Sequence, residues 1–463
     1  MQSTEMNIER AIARHIAGCR LDVMPEGALQ AARTSIVDTL ASAAAGRSAN
    51  GIAAMVELVR AWGGSPQARV IGSGLRVPAP LAAWCNGAMS RALELDDCID
   101  ALPLHPSAAV LPALLAAFDM VGGLSGAKLL RALVIAQDLF IRFGHAVSLN
   151  AMQSGRNNLF KVYAATAGVT AALGLDETRV LNALGIASSY AVADGQCALD
   201  GSMALRVQYG NVAQGALQAA LLAQAGVTGP ERFLTGKFGF FAAFEPDHHL
   251  DHLSDGLGKE YKGDRISVKP YACCRATHAA VDLARTARTC IQPADPLEAV
   301  RHVDVTVSPE VDRLVGSPAE SKTRPATGPA AQFSLHWVIA CALLGDRVEL
   351  ADTGPQALND PKRAALAARV RVVARAENRT DNILGRTDVA ITLEDGTQWT
   401  GSSTQPLGSP SRPVSTDFLR AKLEAGMRHG GFPVNGEEVD VLVARAARVE
   451  SLQDARLLLD VLA

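Results

Sequence analysis

The sequence predicts a mainly α protein: a large all-helical domain, residues 1–265 completed by 412–463, interrupted by a smaller α+β domain over 266–411. Three observations carry that prediction. The chain has 463 residues, too many for one ordinary core. Apolar residues make up 48% of it but aromatics only 5%, and much of the remainder is alanine, which suits closely packed helices better than a sheet core. Hydrophobic spacing is helical up to about residue 230 and turns strand-like only after about Asp264.

Taken in order, residues 1–16 read as a polar lead into a helix and not as a signal peptide, because they lack an apolar core. Pro25 stands where a first-turn proline is tolerated, and Leu29, Ile36, Val37, Leu40 and Ala44 then share one face. Gly122-Gly123 breaks a helix over 108–121, and Ser125 is placed to cap the next, which carries Leu129, Leu130, Leu133, Ala136 and Phe140. Asp176 precedes a helix over 177–190, and Gly226 follows one over 211–225. No strand stands out in this half.

Beyond Asp264 the pattern changes. Val303, Val305 and Val307 alternate with polar residues, as in a half-buried strand, and 370–374 repeats the signal. Val389, Ile391 and Leu393 lead into Asp395-Gly396 and then Trp399, a hairpin with a type I′ turn. Helices over 277–288 and 330–344 lie between these strands. Gly408, Pro410 and Pro413 mark a linker, after which 416–425 and 448–462 are helical again.

Composition removes several function classes. A net charge of −3 with no long basic run argues against nucleic acid or an anionic membrane as main partner. The apolar stretches 108–118 and 337–344 are too short to span a bilayer. Eight scattered cysteines without a C-x-x-C pair suit a reducing compartment, so the chain reads as cytoplasmic. There is no dinucleotide-binding glycine motif, phosphate loop or nucleophile elbow. The run from Asp247 to His252 has spacings that suit zinc but no helical pattern, so it reads as a solvated loop and no metal is expected. Cys273-Cys274 reads as two small residues packed at a helix start, since adjacent cysteines rarely form an unstrained disulfide.

Two segments offer chemistry. Glu94-Leu95-Asp96-Asp97-Cys98 precedes His105-Pro106-Ser107, and Pro106 suits a first helical position, which puts His105 at or beside the N-cap. The positive end of the helix favours a neutral imidazole there, and Asp96 or Asp97 is placed to orient it or to act as its acid partner. Lys269 precedes Pro270, hence lies in extended backbone near the domain junction, where clefts form. Arg275 falls in the first turn of the next helix, where its charge opposes the dipole and requires an anion: a substrate carboxylate or a structural aspartate. Together these side chains suit moving a proton beside a carboxylate.

These segments resemble the MmgE/PrpD family, which includes dehydratases, decarboxylases and epimerases of small polycarboxylic acids. The resemblance runs through Glu94–Asp97, His105 to Pro112, Gly174-Leu175, Leu234 to Phe240, Lys269–His278 and Gly408-Ser409-Pro410. It implies a helical domain, an α+β lid, a homodimer, a substrate cleft between domain and lid, and no metal or organic cofactor. By position His105 corresponds to the family's active-site histidine and Lys269 to its cleft lysine, and Asp97 belongs to the acidic pair before the histidine.

The chain also departs from the decarboxylase pattern. Cys98 replaces a threonine, Gly155-Arg156-Asn157-Asn158 stands where a second histidine is expected, Leu205 with Arg206 beside it replaces a lysine, and a tyrosine before Arg324-Pro325 has no counterpart. Arg156 and Arg206 are candidates to replace lost carboxylate contacts, with Tyr271 and Arg275 as further substrate-binding candidates. The leading expectation is a cofactor-independent lyase, of dehydratase type, acting on a small di- or tricarboxylic acid. His105 exchanges the α-proton, Asp97 orients it or assists departure of hydroxide, and Lys269 with Arg275 stabilises the developing charge. The alternatives are an epimerase using Cys98 and His105 on opposite faces of one carbon, a decarboxylase, and a non-catalytic ligand-binding protein.

Overall fold

A computed structural model describes residues 7–148, 154–345 and 348–463, so part of the N-terminal lead lies outside the described residues. The protein is mainly helical, with three small sheets among the described residues. Its chain divides into two compact units. The first comprises Met1–Ala92, Leu104–Ile266 and Ser415–Ala463; the second comprises Leu93–Pro103 and Ser267–Val414. The chain thus enters the second unit twice, first with the acidic segment and again from Ser267. Among the described residues no helix is long and apolar enough to cross a membrane.

The first unit is a pack of helices with small residues at their contacts. Glu26–Gly46, Ala79–Arg91, Ser107–Met120, Gly126–Ala146, Lys161–Leu173 and Ala204–Gln224 carry most of its buried alanine, leucine and valine. The crossing of Ala204–Gln224 over Ala79–Arg91 is especially close. A Cβ on Gly210 would stand 2.5 Å from the Trp84 carbonyl oxygen, and one on Gly87 would stand 3.1 Å from that of Tyr209. Only glycine lets the two backbones meet this way. The contact brings Arg91, one turn beyond Gly87, against Tyr209, the neighbour of Gly210.

The structure departs from several local expectations. The 211–225 helix begins at Ala204, because Gly210 serves this crossing instead of ending a turn. A short antiparallel ladder, Ala68–Val70 with Leu75–Val77, occurs where no strand was read; three residues are too few to show an alternating pattern. The 448–462 stretch forms three separate 3₁₀ turns. Asp176 caps its helix by accepting from the Arg179 amide at 2.9 Å, whereas the Ser125 side chain makes no capping bond.

The second unit contains a four-stranded sheet in the order Val370–Ala374, Val300–Val307, Thr387–Leu393, Gln398–Ser403. The first pair is parallel and the other two antiparallel. Val303, Val305 and Val307 point into a core that the helices His278–Ile291 and Leu335–Leu344 complete. The hairpin at Asp395-Gly396 is present, but its turn is not type I′. Gly396 alone takes a left-handed φ (87°), its amide donates to the Leu393 carbonyl at 3.0 Å, and the Leu393 amide donates to Thr397. Asp395 stays at negative φ because its carboxylate accepts the Thr397 amide at 2.9 Å.

Candidate active site

In the second unit, the acidic segment and the Lys269 segment meet. Glu94 adopts a left-handed backbone (φ 55°), which costs energy for a side chain of this kind and is sustained by its surroundings. Its carboxylate accepts from Lys269 Nζ at 2.9 Å, and Asp96 lies 3.7 Å from the same ammonium. Lys269, Asp96 and Asp97 are all fully buried. Arg275 forks onto Asp100, its Nε to Oδ1 at 2.8 Å and Nη2 to Oδ2 at 2.9 Å, while Nη1 donates to the Leu407 carbonyl at 2.7 Å. Buried ions persist only with such geometry, because each has lost its hydration.

The neighbouring candidates are equally engaged. Tyr271 donates to Asp282 at 2.5 Å and accepts from Arg285 at 2.8 Å. Cys98 is buried with Sγ 3.9 Å from the Ser267 carbonyl. Burial pushes its thiol well above the ordinary range, against the smaller opposing fields of Arg275 and Lys269, so it remains protonated near neutral pH. Cys273 is shifted the same way by burial and accepts from Thr277 at 3.1 Å. All eight cysteines are free thiols.

In the first unit, His105 immediately precedes Pro106, the N-cap of Ser107–Met120, and is half-buried. Its Nε2 lies 3.4 Å from Arg91 Nη2. A guanidinium only donates, so at this contact Nε2 acts as acceptor and the ring hydrogen falls to Nδ1. The Tyr209 ring meets His105 edge-on at 6.3 Å, and Arg91 lies over that same ring at 5.4 Å. Lys161, the first residue of its helix, places Nζ 4.3 Å from the Tyr209 centroid. An arginine, a lysine and an imidazole therefore share a single aromatic platform.

Arg156 and Arg206 each have protein partners in this unit. Arg156 pairs with Glu245 at 3.0 Å, and Arg206 donates to the Asn50 carbonyl at 2.7 Å. The run containing His248 forms a bend and a short helical turn, Asp251–Ser254, with His248 stacked on Phe241 at 4.4 Å. Among the described residues no group of side chains is arranged to hold a metal. Sequence reasoning passed over Arg91, Lys161 and Tyr209. Its available signal was a charge inside an otherwise alanine- and valine-rich helical run, at Lys161 and again at Arg91.

The MmgE/PrpD N-terminal domain matches residues 10–253, and the MmgE/PrpD C-terminal domain matches residues 271–445. The chain belongs to the MmgE/PrpD family. Among its relatives is a cis-aconitate decarboxylase of Aspergillus terreus, 28% identical over 435 residues, covering 88% of this chain and 87% of the relative. The cis-aconitate decarboxylase-like protein oryM of Aspergillus oryzae is 26% identical, covering 90% of each chain. The cis-aconitate decarboxylase of Mus musculus is 25% identical, covering 98% of this chain and 92% of its own. The MmgE/PrpD N-terminal match contains His105, Arg91, Lys161 and Tyr209, and the C-terminal match contains Tyr271 and Arg275.

Proposed function

We propose that this MmgE/PrpD protein is a lyase of dehydratase type, acting on a small di- or tricarboxylic acid by moving the proton α to a carboxylate. One observation carries the reading: a half-buried imidazole whose ring nitrogen faces Arg91, on a platform that also seats Lys161. A proton carrier surrounded by cations suits an anionic substrate, because the same charges that attract the acid stabilise the enolate-like density left after deprotonation.

In this reading the substrate carboxylate draws Arg91 off His105 Nε2 and is stabilised by it, and the freed Nε2 takes the α-proton. Loss of a β-hydroxyl as water then completes the elimination, with the proton held on His105 available to the leaving oxygen. Asp97 and Lys269, both in the second unit, are the sequence candidates for acid partner and charge stabiliser, and loss of turnover in Asp97→Asn and Lys269→Met is the test of those roles. Arg275 works as the counter-ion of Asp100, since each of its three nitrogens already has a protein acceptor. Cys98 is given no proton to carry, because a thiol held protonated is a poor base.

Decarboxylation is the second reading, supported by the names of the relatives. It uses the same cations for the carbanion, and the same imidazole to return a proton to carbon after carbon dioxide leaves. Proton NMR in D2O with citrate, 2-methylcitrate, cis-aconitate and an iminodisuccinate-type acid separates these chemistries by their products. The expected result is turnover with deuterium exchange at the α-carbon, abolished in His105→Ala. Exchange that survives in His105→Ala would overturn the assignment of the base. Silence across the panel, with no ligand-induced stabilisation, would overturn the substrate class.

A further inference from the structure

Lys161 is fully buried, and among the described residues its Nζ has no hydrogen-bond partner. Burying an ammonium without an acceptor is costly, because the desolvation penalty goes uncompensated. Among the described residues no carboxylate accepts from it. The face of Tyr209 lies 4.3 Å away, Arg91 covers the same ring, and the ring edge reaches His105. The titratable and charged groups whose fields reach it are Arg91, from Ala79–Arg91, and Cys197, from the turn Gln196–Leu199. Its own helix starts at Lys161, so the helix dipole also opposes a positive charge there.

We propose that Lys161 is a further active-site residue: it meets a substrate carboxylate beside His105 and takes up a proton as that carboxylate arrives. The inference rests on the polycarboxylate reading above and deepens it by assigning a second carboxylate contact. In the resting protein, burial and the field of Arg91, partly offset by Cys197, push the ammonium down to about 7. An entering carboxylate supplies the missing acceptor and the opposite charge, and the amine then binds the proton firmly. No bond is made or broken beyond N–H: solvent supplies the proton, and the product carboxylate releases it on departure. Because Arg91 cannot lose its proton, the site holds one permanent cation and one that forms on demand.

The test is calorimetric titration of the full-length protein with citrate and with cis-aconitate, each in two buffers of different ionisation enthalpy. Their difference gives the protons taken up per ligand bound. Uptake of about 0.9 proton at pH 8, falling to about 0.1 at pH 6, is expected for an amine that titrates near 7 when free and stays protonated across this range when paired. Lys161→Met, checked for folding by circular dichroism, should lose the uptake at pH 8 and weaken binding at least tenfold. Wild-type binding without proton uptake at pH 8 would overturn the proposal, with no variant needed. Uptake that persists in folded Lys161→Met would also overturn it, by assigning the proton to another group. Absence of binding by the wild type, together with silence in the NMR panel, would overturn the polycarboxylate reading itself and the Lys161 assignment with it.

Discussion

Lys161 illustrates how a single residue trades stability against a site. The unfolded chain keeps this lysine's proton up to the ordinary value of 10.5, whereas the folded protein keeps it only to about 7. Between those values the unfolded state binds more protons, so this contribution to stability rises with pH across the window; below about 7 the penalty is full. Lys161→Met is therefore expected to raise the melting temperature most at pH 6, with the gain shrinking as pH climbs towards 10.5. Thermal melts of both proteins from pH 6 to 10 check this. His15 acts in the acid range by the same logic. Burial, then the field of Arg142, push it down to about 4 from 6.5, so the unfolded state binds its proton first as pH falls. Its contribution is intact above about 6.5 and lost progressively towards 4. His15→Gln should flatten the decline in melting temperature between those two values.

At the scale of elements, the decisive contact is the crossing of Ala79–Arg91 with Ala204–Gln224. Gly210 and Gly87 allow backbone to meet backbone, and that approach brings Arg91 onto Tyr209. Gly210→Ala inserts a methyl group 2.5 Å from the Trp84 oxygen, so one helix must shift. A loss of roughly 1–3 kcal/mol in stability is expected from such overpacking. Activity should fall further than stability explains, since Arg91, Tyr209 and His105 move with the crossing; denaturant melts beside turnover measurements check both. Much of this element was legible beforehand: alanine-rich runs announced close helices, and the periodicity located most of them. The start of Ala204–Gln224 was not legible, because a glycine in an interior contact and one ending a turn look identical in sequence.

For the whole molecule, the important fact is that residues 93–103 fold with the second unit although the chain around them belongs to the first. Charge contacts tie this excursion to the rest of the unit, among them Lys269 on Glu94 and Asp96 and Arg275 on Asp100. Removing one partner leaves a buried charge uncompensated, which costs about 3–5 kcal/mol. Asp100→Ala should accordingly speed amide hydrogen exchange in residues 93–103 and around Arg275, while exchange in the Ser107–Met120 helix stays protected. Exchange mass spectrometry reads both regions in one experiment. Uniform exchange across the chain would show that the fork does not serve the second unit locally.

The sequence by itself determined the helical class, the strand-bearing segment after Asp264, the segments where charge collects and the family to which the chain belongs. These are local properties: periodicity, composition and short motifs are written in neighbouring residues. It also made His105 and Arg275 conspicuous. Only the tertiary structure decided which charge answers which. Arg275 required an anion on any reading, but that the anion is Asp100 depends on two segments 175 residues apart being folded together. Lys161 is the clearest case. Among the described residues its Nζ meets an aromatic face and no hydrogen-bond acceptor, and that is a property of everything around a residue, which no short stretch of sequence contains.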